Sequence, residues 1–186
     1  MLRGHAISVD YALNMQRERW WSLPGLRPSA MDMEQAQEAF TPLFELVMRE
    51  HMRASVPLGL FLSGGVDSRL QCAMLTRLHE HPIESFPIGY SVNRERNELD
   101  DARKIAQRFG TRHHSIEINP DELLVHIPHA VWSTDELMRD FAVLPISLLA
   151  EKSGHSLKVI FTGGGGDEAF VGYARFCNHP LQRWLS

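Results

Sequence analysis

Residues 60–69 carry the densest set of groups for phosphate chemistry in this sequence, in the order Leu-Phe-Leu-Ser-Gly-Gly-Val-Asp-Ser-Arg. Gly64 and Gly65 have no side chain, so a ligand can approach the backbone closely. The amides at the start of the following helix would point at that ligand, and the helix dipole would favour an anion. The hydroxyls of Ser63 and Ser68 can add hydrogen bonds. The stretch therefore predicts a loop that binds phosphate groups.

An acidic residue in the same loop indicates that a metal ion accompanies the phosphates. Asp67 would repel a bare phosphate, so its position suggests a bridging Mg²⁺. The loop lacks the Gly-Lys-Ser/Thr ending of a Walker-A phosphate loop. A simple turn between a strand and a helix is the alternative, because Gly, Ser and Asp are common in turns and at N-caps. The apolar run before the loop, together with Asp67 and Ser68, favours phosphate binding.

A second glycine-rich stretch follows another apolar run near the end of the chain. Gly163–Gly166 can supply amides and allow close approach of the backbone. Asp167 and Glu168, at the far edge, could hold a cation near phosphates. The alternative is a flexible loop in which Asp167 only caps a helix. Because this loop follows a predicted buried strand in a chain that already carries the first loop, we interpret both as parts of one site.

The elements that must position these loops alternate along the chain. We predict strands at 57–62, 83–90, 113–118 and 157–161, and helices at 32–54, 66–79, 98–109, 122–132 and 141–153. Val9 and Tyr11 are compatible with a further short strand. This order predicts an α/β protein with a doubly wound parallel sheet. Ligands of such sheets bind at the carboxyl ends of strands, so the loops at Ser63, Gly89 and Thr162 should meet in one cleft.

Composition excludes several other classes of function. The net charge of −4 gives no support for non-specific binding to nucleic acid or membranes. We find no secretory segment or membrane-spanning run, which makes the cytoplasm the expected compartment. The two cysteines form no Cys-x-x-Cys pair, and Cys72 is predicted to be a core residue. His113 and His114 would lie on opposite faces of a strand, so they should not share a metal ion, and no other histidine spacing indicates a metal site.

The motifs together resemble the synthetase domain of the class B, glutamine-dependent asparagine synthetases, which are ATP pyrophosphatases. The family's pyrophosphate loop matches Ser63–Ser68, and its Ser-Phe-Ala-Val/Ile-Gly strand matches residues 85–89. Its Asn-Glu-x-x-x-Ala-Arg and Gly-Thr-x-His-His segments match residues 97–103 and 110–114. The second glycine-rich motif matches residues 162–173 with changes. The motif order is the family's, and the resemblance covers nearly the whole chain.

This resemblance implies an adenine nucleotide α-hydrolase-like domain, with ATP and Mg²⁺ bound, that performs a two-step reaction. A substrate carboxylate attacks the α-phosphorus of ATP to give an acyl-adenylate and pyrophosphate. Ammonia or another amine then displaces AMP and forms an amide. By the same resemblance, pyrophosphate would be held by Ser63, Gly64, Gly65 and Ser68, Mg²⁺ by Asp67 and Asp167, the adenosine by backbone at Phe61 and Ile88, and the nucleotide would be covered by Thr162 and Gly163.

The sequence departs from the family pattern at three places. Gly164 stands where the family usually has a Glu that is linked to adenylate formation and to handling of the amine. Leu2 follows Met1, where the family has its nucleophilic cysteine. Residues 1–28 resemble the end of the glutaminase domain with its linker. Residues 29–186 resemble a synthetase domain that lacks its C-terminal part, including a catalytic lysine.

Three functions remain open on the sequence. The first is asparagine synthase in a full-length protein, which would use aspartate, ATP and ammonia from a glutaminase domain absent from this chain. For this function we expect a homodimer of the full-length protein and no nucleic-acid or membrane partner. The second is another carboxylate-activating member of the group, of the lasso-peptide or β-lactam type, which Gly164 favours. The third is a remnant that binds nucleotide without catalysis.

Overall fold

The structure is a computed structural model, and it describes residues 2–22, 29–87, 98–114, 116, 118–135 and 142–173. The chain divides into two compact units, Met1–Thr41 and Pro42–Ser186. The predicted division between residues 28 and 29 rests on the resemblance alone and stays a prediction. None of the described helices is both long enough and apolar enough to cross a membrane.

The first unit contains a two-stranded antiparallel hairpin. Strand β1 (His5–Val9) pairs with β2 (Met15–Arg19), with Val9 opposite Met15. Asp10 holds the turn, because its carboxylate accepts hydrogen bonds from the amide N of Ala12 at 2.8 Å and of Asn14 at 2.9 Å. The Asn14 side chain also donates to it, and this bond is the largest cause of a lowered pKa at Asp10. Val9 therefore lies in a strand, whereas Tyr11 lies in the turn.

A capping box starts helix α1 (Met33–His51). The Asp32 carboxylate accepts from the amide N of Gln35 at 2.9 Å, and the Gln35 side chain accepts from the amide N of Asp32 at 3.2 Å. The helix therefore begins within one residue of the start that the sequence predicts at residue 32. Pro42 lies inside the helix and does not delay its start.

The second unit is built on a parallel sheet. Its strands are β3 (Leu58–Leu62), β4 (Glu84–Pro87), β5 (Arg112–His113) and β6 (Val159–Phe161), in the order β5-β4-β3-β6. β4 and β5 extend the sheet on one side of β3, and β6 lies on the other side. The strand order therefore reverses at β3, which places the topological switch point between β3 and β6. The parallel α/β architecture predicted from the sequence is confirmed.

Five helices accompany this sheet: α2 (Val66–Leu78), α3 (Glu98–Phe109), α4 (Pro120–Thr134), α5 (Val143–Ser153) and α6 (Gly166–Phe170). All of the predicted helices are present, with ends that differ by a few residues. α3 ends before Gly110, whose φ of +69° is the left-handed conformation that commonly follows the C-terminus of a helix. Of the predicted strand at 113–118, His113 lies in β5, whereas His114 and Ile116 do not continue the strand, and residues 115 and 117 lie outside the described part of the chain. Residues 88–90 of the predicted second strand lie outside the described part of the chain.

Alternation along β3 builds a core on both faces of the sheet. Leu60 and Leu62 are fully buried and pack in a cluster with Leu75 of α2. Phe61 points to the opposite face, where it joins a second cluster that contains Leu149 of α5. Apolar residues on both faces explain why β3 reads as a continuous hydrophobic run in the sequence.

Cys72 is the core residue that the sequence analysis predicted. Its side chain is completely buried in the cluster beneath α2. Burial raises the pKa of its thiol to about 11, because the thiolate would lose its hydration. Cys72 therefore stays protonated and serves packing rather than nucleophilic chemistry.

Candidate nucleotide-binding site

Two glycine-rich loops meet at the switch point of the sheet. The first follows β3 and starts at Ser63, and the second follows β6 and starts at Thr162. A Cβ built on Gly163 would lie 3.3 Å from the Cβ of Asp67 and 3.5 Å from the amide N of Ser68. A Cβ built on Gly166 would overlap the Asp67 carboxylate. The two loops are therefore in direct contact, and the contact needs a residue without a side chain at 166.

Hydrogen bonds between two serines give the first loop its shape. The hydroxyl of Ser68 is 2.8 Å from the carbonyl O of Ser63, to which it donates, and the two hydroxyl oxygens are 3.0 Å apart. The amide N of Gly65 donates to the Ser63 hydroxyl at 3.2 Å. Ser68 is only 2% exposed, so its hydroxyl closes the turn from within. The hydrogen bond from Ser68 to a phosphate remains a prediction. Ser63 is half-buried and lies on the wall of the cleft between the loops.

Helix α2 presents its N-terminus at this loop. Gly65 is the N-cap and has no side chain to accept from the amides of the first turn. Val66, Asp67 and Ser68, the first three residues of the helix, line the cleft. First-turn amides have no partner within a helix, and together with the helix dipole they favour an anion. This end of α2 therefore has the chemistry that a phosphate group requires.

The cleft between the loops has a volume of about 580 Å³. Among the described site residues that the sequence predicts, Gly64 and Glu168 do not line this cleft, and the Glu168 carboxylate instead accepts a hydrogen bond of 2.6 Å from the Tyr173 hydroxyl. Gly64 faces α3, where its Cβ position would lie 3.4 Å from the Cβ of Asp101. Ile88 and Gly89 lie outside the described residues. The wall is formed by Phe61, Ser63, Gly65, Val66, Asp67, Ser68, Ile146, Thr162, Gly163, Gly164, Gly166, Asp167, Phe170 and Gly172.

Gln71 also serves this site, although the sequence analysis did not single it out. Its Nε2 donates a hydrogen bond of 2.8 Å to the carbonyl O of Thr162, which ties α2 to the second loop. Its Oε1 is buried and has no hydrogen-bond partner among the described residues. Gln71 follows Asp67 by four residues, so both lie on one face of the helix. This spacing from Asp67 is the sequence signal that could have identified Gln71 as a residue of the site.

Gly164 accommodates a Cβ without a clash. A Cβ built there would have Thr162 Oγ1 as its nearest neighbour at 3.5 Å, an ordinary van der Waals distance. Its neighbour Gly165 differs, because a φ of +95° places it in the left-handed region. The backbone at 164 therefore does not require glycine, whereas the backbone at 165 favours it.

The residues present fit a nucleotide with a divalent cation. Asp67 and Asp167 both reach the cleft, and each carboxylate occupies space that a neighbouring glycine leaves open. A Cβ on Gly172 would overlap the Asp167 carboxylate, as one on Gly166 would overlap Asp67. Carboxylate oxygens are the ligands that Mg²⁺ prefers, and it usually combines one or two of them with phosphate oxygens.

The sequence of residues 39–186 matches the family model described as asparagine synthase. The chain belongs to the asparagine synthase family. An asparagine synthetase of Gallus gallus, named as glutamine-hydrolysing, is 30% identical over 166 residues, which are 84% of this chain and 29% of that protein. A Mycobacterium tuberculosis protein assigned as a glutamine-hydrolysing asparagine synthetase is 36% identical over 156 residues, 83% of this chain and 23% of that protein. The chain thus spans less than a third of the length of these relatives.

Solved structures show the same fold outside the asparagine synthase family. The glutamine-dependent NAD⁺ synthetase of Acinetobacter baumannii, solved with adenosine diphosphate, gives a TM-score of 0.52 at 20% identity and covers 90% of this chain and 31% of that one. The ammonia-dependent NAD synthetase of Campylobacter jejuni gives a TM-score of 0.51 at 19% identity, with 77% and 62% covered. These likenesses support the parallel α/β fold of the second unit.

Proposed function

We propose that this chain is the ATP-binding part of a ligase that forms an amide through an acyl-adenylate. The observation that carries the proposal is the contact of the two loops at the switch point, with Asp67 lying against Gly163 and Gly166. This contact joins an anion site at the N-terminus of α2 with two carboxylates in one cleft. Positioning and charge neutralisation are the main protein contributions to such chemistry.

The proposed reaction has two balanced steps. An oxygen of the substrate carboxylate attacks the α-phosphorus, the bond from that phosphorus to the bridging oxygen breaks, and pyrophosphate leaves. The nitrogen of an amine then attacks the acyl carbon, loses a proton, and AMP leaves with the electron pair of the former acyl–oxygen bond. Mg²⁺, when bound, would neutralise charge on the leaving pyrophosphate.

The residues of the cleft would divide the binding between them. Ser63, Gly65 and the first-turn amides of α2 would hold the pyrophosphate, with Gly64 keeping the turn open and Ser68 closing it from inside. Asp67 and Asp167 would hold Mg²⁺. Thr162 and Gly163 would cover the nucleotide, with Gln71 fixing the carbonyl of Thr162. Phe61 would contact the adenosine from the cleft wall.

Aspartate is the carboxylate we favour, with ammonia as the amine, because named asparagine synthetases are among the relatives. Gly164 supports a second candidate. Residue 164 lines the cleft without a side chain and therefore without a carboxylate, which suits a larger carboxylate substrate of another amide-forming ligase or cyclase. For the first candidate we propose a cytoplasmic enzyme that forms a dimer at full length.

A pyrophosphate-release assay tests this proposal. A protein that extends this chain to the length of its relatives is supplied with Mg·ATP, an ammonium salt and a panel of carboxylates that begins with aspartate. We expect AMP and pyrophosphate in equal amounts, and only when a carboxylate is present. Binding of Mg·ATP without any carboxylate-dependent release across the panel would contradict the ligase and favour a nucleotide-binding remnant.

A further inference from the structure

A second cavity lies between α4 and α5, and it shares no lining residue with the nucleotide cleft. Its volume is about 680 Å³, and acidic groups and imidazoles dominate its wall. The polar residues that line it are Asn119, Asp121, Glu122, His126, His129 and Glu151. A cavity with this set of side chains favours a cation.

Two histidines on α4 and a glutamate on α5 converge in this cavity. His126 and His129 are three residues apart and therefore share a helix face. Their ring centroids are 4.9 Å apart. One ligand atom of His126, one of His129 and one of Glu151 lie within 4.8 Å of one another. His126 Nδ1 is 3.4 Å from Glu151 Oε2. Donors around a tetrahedral metal ion with bonds of about 2.1 Å lie roughly 3.4 Å apart, so one pair already has that separation.

Ser147 orients the buried imidazole toward the cavity. The Ser147 hydroxyl lies 2.9 Å from His126 Nε2, where it can accept the Nε2–H and leave the lone pair on Nδ1. In that tautomer the lone pair faces the Glu151 carboxylate, an arrangement that a cation between the two atoms would stabilise. A hydrogen bond to the second ring nitrogen is the usual support of a metal-bound histidine.

We propose that His126, His129 and Glu151 bind one divalent transition-metal ion of the zinc type. Two imidazole nitrogens and one carboxylate oxygen are donors suited to Zn²⁺, whereas Mg²⁺ and Ca²⁺ prefer oxygen alone. His126 is 8% exposed and provides the fixed ligand, and the exposed side chains of His129 and Glu151 close on the ion. The ion would clamp α4 to α5, the helix that also supplies Ile146 to the nucleotide cleft.

Calorimetric titration of the chelator-treated chain with zinc chloride tests this site. We expect one Zn²⁺ per chain. His129→Ala and Glu151→Gln should each weaken the affinity by at least about tenfold, and Ser147→Ala by about tenfold through loss of the orienting bond. His155→Ala, at an exposed histidine outside the cluster, is the matched control and should bind like the wild type.

Two further measurements separate the site from general histidine binding. Co²⁺ should give the visible absorption of a four-coordinate ion in the wild type and lose it in His129→Ala. Zn²⁺ should raise the thermal midpoint of the wild type and leave that of Glu151→Gln unchanged, because only a ligand bound to the native state stabilises it. Absence of binding at millimolar zinc, or equal affinity in the wild type, His129→Ala and Glu151→Gln, would overturn the proposal. Since both substituted side chains are exposed, loss of the fold does not confuse the comparison.

Discussion

The carboxylate of Asp67 occupies the space where residue 166 would carry a Cβ, so that Gly166 allows the two glycine-rich loops to close on each other. Asp67 belongs to the first turn of α2, and Gly166 begins α6 after the second loop. This contact joins segments about a hundred residues apart in sequence. It places the carboxylate between an anion-binding helix terminus and a loop rich in amides.

Gly166→Ala should weaken binding of Mg·ATP, because the new methyl group must displace the Asp67 carboxylate or the second loop. Overpacking of this kind costs about 1–3 kcal/mol, which corresponds to roughly a tenfold to hundredfold loss of affinity. Gly164→Ala is the matched control, since its Cβ has 3.5 Å of clearance. Calorimetric titration of both variants gives the comparison. Equal affinities for the two would show that the Asp67–Gly166 contact does not shape the nucleotide site.

Gln71→Met should leave the fold intact while it loosens the second loop. The substitution removes the bond to the carbonyl of Thr162, and it also removes the buried Oε1 that has no partner in the described part of the chain. These effects oppose each other, so the free energy of unfolding should change by less than about 1 kcal/mol. Affinity for Mg·ATP should fall several-fold. Gln71→Glu should lower both the free energy of unfolding and the affinity for Mg·ATP more than Gln71→Met does, since it places an oxygen against the Thr162 carbonyl. Unchanged values of both in Gln71→Glu would contradict the role of this hydrogen bond.

His113 should make the protein sensitive to acid. Burial, followed by the nearby charges of Arg103 and His114, lowers the pKa of His113 below its ordinary 6.5. The unfolded chain therefore takes up a proton near pH 6.5, while the folded protein takes it up only at lower pH. The contribution of His113 to the free energy of unfolding is therefore present above pH 6.5, and it is lost as the pH falls through the pKa of His113 in the folded protein.

Urea unfolding at about pH 7.5 and about pH 5.5 checks this sign. His113→Gln should lose less stability over the interval than the wild type. His155→Gln, at an exposed position, serves as the control. An identical loss in the wild type and His113→Gln would show that other groups cause the acid sensitivity.

Gly164→Glu should restore a carboxylate at the cleft wall, because residue 164 lines the cleft and a Cβ there makes only an ordinary van der Waals contact. If the missing carboxylate limits aspartate activation, aspartate-dependent pyrophosphate release should rise at least about tenfold, within the range for one positioned acid–base group. Gly164→Gln has nearly the same shape without the charge and should not show this gain. An equal response from both variants would assign the effect to size rather than to charge.

Much of this fold could be predicted because local signals and tertiary packing agree. The apolar run at β3 predicts a strand that is buried on both faces. The helix start predicted at residue 32 is stabilised in the structure by reciprocal hydrogen bonds between Asp32 and Gln35. β2 was not predicted, since all five of its residues are exposed and carry no alternating pattern. The strand predicted at 113–118 includes His114 and Ile116, which the structure places outside β5, because apolar positions continue in the sequence beyond the described residues that pair with β4.

The meeting of the two loops could be predicted because both follow strands of one parallel sheet, and such strands end at the same edge. The roles of Gln71 and Gly166 could not, because they depend on which atoms face each other across the loops. The cluster of His126, His129 and Glu151 was also missed. Its two histidines are close in sequence, but the third donor comes from another helix, and only the packing of α4 on α5 reveals it.

The most direct test of the central claim is calorimetric titration of the chain with Mg·ATP, with Asp67→Asn and Asp100→Asn measured in parallel. Asp67→Asn keeps the shape of the side chain and removes its charge, while Asp100 is an exposed residue of α3 outside the cleft. We predict that the wild type and Asp100→Asn bind one Mg·ATP with the same affinity, and that Asp67→Asn binds at least about tenfold more weakly. Equal binding by all three proteins, or no binding by a folded wild type, would contradict the assignment of this cleft as a nucleotide site.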